Sequence, residues 1–97
     1  MRLTVGQVHI IKQTVQDSFG LDAQVRLFGS RIDDAANGGD VDLHVTLRQP
    51  VGVWAVAQLA SRLERGLHGR KVDVRVWAEG QPLLPIDHVA LARGVVL

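Results

Sequence analysis

Cysteine is absent from the 97-residue chain, which excludes both a disulfide framework and a thiolate zinc site. No basic N-terminal segment leads into an apolar run, and nowhere do about 18 apolar residues occur together. The sequence therefore predicts neither a signal peptide nor a membrane span, and a cytoplasmic location follows by default. An excess of one charge is also absent, since 11 lysines and arginines face 10 aspartates and glutamates. A near-neutral chain gives no reason to expect nucleic acid as the main ligand.

The chain also lacks internal repeats, low-complexity tracts and any linker long enough to divide domains. We therefore expect one domain, residues 1–97. At this length folding removes only about 60 to 65% of the extended surface from water, although 46% of the residues are hydrophobic. A core of this size predicts that the domain relies on a partner, either a homodimer or a hetero-complex.

Apolar spacing predicts alternating helices and strands. Thr4 and Gln7 form a capping-box pattern before an apolar repeat of helical period, and Gly20 follows it. Two later runs alternate as strands do. The predicted elements are a helix over Val5–Phe19, strands over Gln24–Phe28 and Val41–Leu47, a helix over Pro50–Leu67, a strand over Lys71–Trp77, a helix over Ile86–Arg93, and a tail, Val95–Leu97, that forms an edge strand or a docking segment.

Carboxylates occur at strand spacing in two of these strands. Asp40 and Asp42 lie two residues apart in an apolar run, which puts both side chains on one face of a strand. Asp73 alternates with valines in the third strand, so it joins them on one open face if the two strands pair. Adjacent anions require a compensating cation, and hard oxygen ligands favour Mg²⁺ or Mn²⁺. This arrangement suits nucleotidyl transfer, in which divalent ions steady a triphosphate and polarise an attacking hydroxyl.

A turn between the first two strands carries groups suited to phosphate. Gly29 allows close approach of the backbone, and Ser30 offers both an N–H and a hydroxyl group. Arg31 adds a positive charge beside them. We expect these three residues to hold the β and γ phosphates of a nucleotide so that the bond at the α phosphorus lies in line with the incoming hydroxyl.

The segments Leu27–Arg31, Gly39–Leu43 and Val72–Val74 resemble the three motifs of the minimal nucleotidyltransferase (MNT) family, within the DNA polymerase beta nucleotidyltransferase superfamily. The resemblance covers residues 24–76. It implies an α/β (α+β) fold with a small mixed sheet packed by helices, Mg²⁺ as cofactor, and an NTP, usually ATP, as substrate. Carried over by position, it assigns phosphate binding to Gly29 and Ser30, and metal binding and catalysis to Asp40, Asp42 and Asp73.

The acceptor of the nucleotide stays open. Many members of the family modify a tyrosine of a HEPN-type toxin encoded beside them, which implies an antitoxin role. One alternative is a binding module that acts by complex formation without turnover. Another is a transferase to a small molecule, for which a homodimer would supply the acceptor pocket.

Several side chains also have structural interpretations. His44 is expected to be a hydrogen-bonded structural histidine more often than a substrate group. Asp73, taken alone, would pair with Arg75 or Lys71 on the surface. Trp54 and Trp77 are expected in the core or at an interface rather than as platforms for a nucleotide base.

Overall fold

The computed structural model describes residues 3–28 and 40–97. Helices and strands alternate along most of this length. In chain order they are α1 (Val5–Phe19), β1 (Gln24–Phe28), β2 (Val41–Leu47), α2 (Val53–Gly66), β3 (Val72–Ala78), α3 (Pro85–Arg93) and β4 (Val95–Val96).

The predicted bounds of α1, β1 and β2 are confirmed. At the start of α1, the Thr4 hydroxyl accepts from the Gln7 N–H at 3.0 Å, and the Gln7 side chain accepts from the Thr4 N–H at 2.9 Å. This capping box satisfies two of the N–H groups that a helix end leaves unpaired. At the other end, Gly20 has a φ of 93°, a conformation that suits glycine.

The later elements differ from the sequence prediction by a few residues. Helix α2 begins at Val53 rather than Pro50, because Gly52 is extended and serves as its N-cap. Strand β3 runs from Val72 to Ala78, one residue later than predicted. The C-terminal tail forms an edge strand, one of the two alternatives that its sequence allowed.

The four strands form one mixed sheet in the order β3-β2-β1-β4. Strand β1 pairs antiparallel with both β2 and β4, whereas β2 and β3 are parallel. Helix α2 makes the crossover that a parallel pair requires. The two carboxylate-bearing strands therefore pair, which was the condition for Asp73 to share a face with Asp42.

One face of the sheet packs against α1 and α2 to form the core. Alternate residues of β1 and β2 point into it, together with the buried faces of both helices. The core side chains are Ile11, Val15, Val25, Leu27, Val41, Leu43, Val45, Leu47, Leu59, Leu63, Leu67 and Val72. Helix α3 contacts the opposite face of the sheet, where its buried Asp87 is hydrogen-bonded to His44.

The apolar face predicted for α2 is only partly covered. Leu59 and Leu63 are fully buried, but Val53 and Trp54 in the first turn are 84% and 82% exposed. Trp54 is therefore not in the core, one of the two places expected for it, and its place at an interface stays a prediction. Among the helices in the described ranges, none is long and apolar enough to cross a membrane.

Candidate active site

Asp42 and Asp73 lie side by side on the sheet. They are register partners in the parallel strands β2 and β3, each at the second position of its strand. Neighbouring strands are about 4.8 Å apart, so the two carboxylates occupy adjacent positions on the face opposite the core. Asp42 is half-buried and Asp73 is exposed. The crossover through α2 thus brings together two acids that are distant in the sequence.

Asp40 immediately precedes β2 and is exposed. Within residues 3–28 and 40–97, no group of three His, Cys, Asp or Glu side chains is arranged to hold a metal ion. The structure therefore brings Asp42 and Asp73 together but does not gather all three acids into one cluster. The predicted phosphate-binding residues Gly29, Ser30 and Arg31 lie outside the described residues.

A buried polar network lies one step further along the same two strands. His44 and Arg75 are register partners, and both contact the Asp87 carboxylate of α3. Asp87 Oδ1 lies 2.8 Å from His44 Nε2 and 3.0 Å from Arg75 Nε. Asp87 Oδ2 accepts from Arg75 Nη2 at 2.8 Å and from the Leu84 N–H at 2.9 Å. One carboxylate thus ties α3 to both strands beside the Asp42–Asp73 pair.

A comparison with protein families bears on this arrangement. A family model described as a nucleotidyltransferase domain matches residues 8–90, which spans the helices and strands from α1 into α3. The chain belongs to the nucleotidyltransferase domain family. The resemblance based on the three motifs is confirmed, and the described helices and mixed sheet are consistent with a polymerase-beta-type α+β fold. No curated protein matches the chain.

The carboxylate oxygens of Asp42 and Asp73 are of the kind that binds a divalent cation in a nucleotidyltransferase domain. Asp42 and Asp73 supply two adjacent hard oxygen ligands on a face that is open at Asp73. Mg²⁺ is usually held by one or two carboxylates together with substrate phosphates rather than by a cage made of protein alone. Two neighbouring acids are the kind of protein contribution that such a magnesium site uses.

Asp87 is fully buried but remains ionised. Arg75 is the main cause, since its hydrogen bonds hold the pKa of the Asp87 carboxyl far below its usual range, and the Leu84 N–H and His44 act in the same direction against the effect of burial. The pKa of Arg75 is raised by the same hydrogen bonds. Because an ionised carboxylate only accepts hydrogen bonds, His44 Nε2 must carry the proton that it shares with Asp87.

No motif or residue spacing in the sequence singles out Asp87. Its only local signal is an acid in the first turn of the predicted helix, where acids are common. His44 is a hydrogen-bonded buried residue, and within the described residues its Nδ1 atom has no hydrogen-bond partner. Arg75 pairs with Asp87 and not with Asp73, the partner considered from sequence.

The stability of the domain is expected to fall in acid through Asp87. A carboxyl whose pKa is depressed by folding stabilises the native state above its unfolded pKa, near 3.8, and this contribution is lost as the pH falls further. Urea unfolding between about pH 5 and pH 2.5 should show a steeper loss for the wild type than for Asp87→Asn. Equal slopes for the two proteins would contradict the assignment of an ionised Asp87.

Proposed function

We propose that residues 1–97 form a single nucleotidyltransferase domain that moves a nucleoside monophosphate, AMP from ATP, to a hydroxyl acceptor. The observation that carries the proposal is the pairing of Asp42 with Asp73 on an open face of the sheet, in a member of the nucleotidyltransferase family. Asp40 stands two residues before Asp42 and is the third acid of the proposed site. Gly29, Ser30 and Arg31 are the proposed phosphate contacts.

The proposed reaction is a displacement at the α phosphorus. The acceptor oxygen forms a bond to that phosphorus, and the bond from phosphorus to the oxygen that bridges the α and β phosphates breaks. Pyrophosphate leaves with the electron pair of the broken bond. Asp73, the more exposed acid of the pair, accepts the proton of the attacking hydroxyl.

Asp42 and Asp73, with Asp40, would hold Mg²⁺ or Mn²⁺, which when bound neutralises charge on the phosphate oxygens. The rest of the catalytic work is positioning. Strands β2 and β3 fix the two acids relative to one another, and the Asp87 network prevents the strands from shifting beneath them. Positioning and charge compensation are the main contributions that phosphoryl transfer requires of a protein.

The acceptor that we propose is a tyrosine of a HEPN-type toxin, so the protein would be an antitoxin that acts in the cytoplasm. Support comes from the exposed Val53 and Trp54 in α2, since an exposed tryptophan beside an exposed valine is typical of a protein interface. The half-exposed Val95 and Val96 provide a second apolar feature, which suits a homodimer.

Nucleotide binding provides the test of the site. ATP binding is expected to require Mg²⁺ or Mn²⁺ and to be lost when Asp40 and Asp42 are both replaced by Asn, because Asn keeps the shape but removes the charge that holds the ion. Calorimetric titration measures this. Asp17→Asn, an exposed acid on α1, is the matched control and should bind as the wild type does.

Two results, one from that titration and one from the same titration combined with a partner-binding assay, would count against the assignment. Unchanged ATP affinity in the double variant would refute the metal site. Tight partner binding by a wild-type protein that binds no ATP at all would favour the alternative of a binding module that acts without turnover.

A further inference from the structure

Strand β3 is an edge of the sheet, and its outward-facing backbone groups can be identified. The Val41 N–H donates to the Lys71 carbonyl at 3.0 Å, and the Glu79 N–H donates to the Leu47 carbonyl at 2.9 Å. In a parallel ladder, alternate residues direct both backbone groups towards the neighbouring strand. The odd-numbered residues of β3 therefore face β2. The residues that face outward are Val72, Val74, Val76 and Ala78.

Side chains protect both ends of this edge but leave its middle open. Glu64 Oε2 accepts from the Val72 N–H at 3.2 Å, and Gln81 Oε1 accepts from the Ala78 N–H at 3.1 Å. In the described part of the chain, the outward groups of Val74 and Val76 have no such partner. Sheet edges are commonly protected against pairing with other chains. Here the protection stops short of two residues in the middle of the strand.

An apolar groove runs beside these two residues. It has a volume of about 420 Å³ and lies between α2 and the core-facing side of β3. Its apolar lining includes Val53, Val56, Ala57, Ala60, Val74 and Val76. The exposed Trp54 follows Val53 in the sequence. Open backbone groups and an apolar groove together are the two features that bind an extended peptide as an added strand.

Asp73 lies at the same edge but on the other face. Side chains alternate between faces along a strand, so a strand added to β3 would place every second side chain in the groove. The intervening side chains would lie on the face that carries Asp73. A residue directly opposite Asp73 would have its Cβ atom within about 5.5 Å of the Asp73 Cβ atom.

We propose that the acceptor protein docks as a strand on β3, pairing with Val74 and Val76 and presenting its hydroxyl residue opposite Asp73. This proposal rests on the proposed function, because it assigns the substrate class of the same site. In the antiparallel orientation the acceptor segment has four residues, counted from its N-terminus. The first and third are apolar, the second can be any residue, and the fourth carries the hydroxyl group. The two apolar side chains fill the groove opposite Val76 and Val74.

A second copy of this chain fits the edge less well. The two-fold pairing that uses only the open residues would join Val74 of each copy to Val76 of the other. It would also place Arg75 directly opposite Arg75 of the second copy, and like charges in that position are destabilising. A different segment with an uncharged residue at that position avoids this repulsion.

The test uses the acetylated, amidated peptide Lys-Val-Gln-Val-Tyr-Lys at millimolar concentration, with amide hydrogen exchange of the full chain measured by NMR. The Val74 and Val76 amides are expected to exchange at least about tenfold more slowly with the peptide present. Val72 and Ala78 are internal controls, because their N–H groups already have partners. The same peptide with N-methyl groups on both valines keeps its side chains but cannot pair, and should give no protection.

Variants of the protein check the same contact from the other side. Val76→Pro removes an outward N–H without removing a bond to β2, and should abolish protection of Val74 by the peptide. Val89→Ser, at a half-exposed valine of α3, is the matched control and should leave it unchanged. If Val76→Pro does not fold, the N-methyl peptide makes the same comparison.

The proposal would be overturned if the peptide protected neither valine, if the N-methylated peptide gave equal protection, or if protection occurred at β4 instead. Exchange is measured without nucleotide, so the result does not depend on turnover. Protection in a protein that fails to transfer AMP would refute the proposed function and leave the docking site intact. Transfer of AMP to a protein acceptor without protection at β3 would refute the docking site and leave the proposed function intact.

Discussion

Replacing Asp73 by Asn is expected to lower the rate of nucleotidyl transfer by about 10²- to 10⁴-fold, the usual effect of removing a general base. Nucleotide affinity should change less than turnover, because in the proposed mechanism Asp73 acts on the attacking hydroxyl. Asn has nearly the same shape, and Asp73 is exposed, so the fold should be preserved. Transfer of labelled AMP from ATP, measured beside an ATP titration, separates the two effects.

The control for this experiment is Glu79→Gln, which removes an exposed acid just beyond the other end of β3. It should transfer AMP at the rate of the wild type. A variant with Asn at position 73 that retained full activity would remove Asp73 from the mechanism, whatever the behaviour of Asp40 and Asp42.

The Asp87→Ala substitution is expected to cause the largest loss of stability. It removes the only acid in the described network and leaves His44 and Arg75 without their shared acceptor. Breaking a buried ion pair costs about 3 to 5 kcal/mol. We expect the lower end of that range, because the Arg75 side chain is 33% exposed and can reach water. For a domain of this size, about 3 kcal/mol lowers the melting temperature by more than about 10 °C.

Thermal unfolding followed by circular dichroism measures this effect. The melting temperature of Asp87→Asn should lie between those of the wild type and Asp87→Ala, because the Asn amide oxygen can still accept from the Leu84 N–H. The matched control is Asp22→Ala, whose acid pairs with Arg48 at 3.8 Å with both side chains more than 70% exposed, and surface pairs of this kind contribute little. If Asp87→Ala and Asp22→Ala melted at the same temperature, the network would not stabilise the fold.

Local signals explain which parts of the fold the sequence predicted well. The capping box at Thr4 and the alternation in β1 and β2 act within a few residues, and these elements have the predicted bounds. The start of α2 was missed because Pro50 is favoured in the first turn of a helix, whereas α2 begins only after the extended residue Gly52.

In the candidate site, too, the features with a local sequence signal were predicted, and those that depend on packing were missed. Asp42 and Asp73 could be placed on one face from period-two alternation, and their pairing then required only that β2 and β3 be neighbours. The contacts of Asp87 with His44 and Arg75 depend on how α3 lies across the sheet, for which no residue spacing gives a signal. The exposure of Trp54 likewise depends on where α2 rests, since helical spacing alone groups it with the buried leucines.

The parallel pairing of β2 with β3 determines when the proposed active site can form during synthesis. A nascent chain that has emerged only as far as α2 can form the antiparallel β1–β2 hairpin, but it carries one carboxylate of the pair and not the other. Closing the crossover orders the intervening chain before the contact is gained, and such non-local contacts form late. A ribosome-bound fragment ending before Val72 would therefore be inert. Catalytic competence would arise only once the second half of the chain has been made.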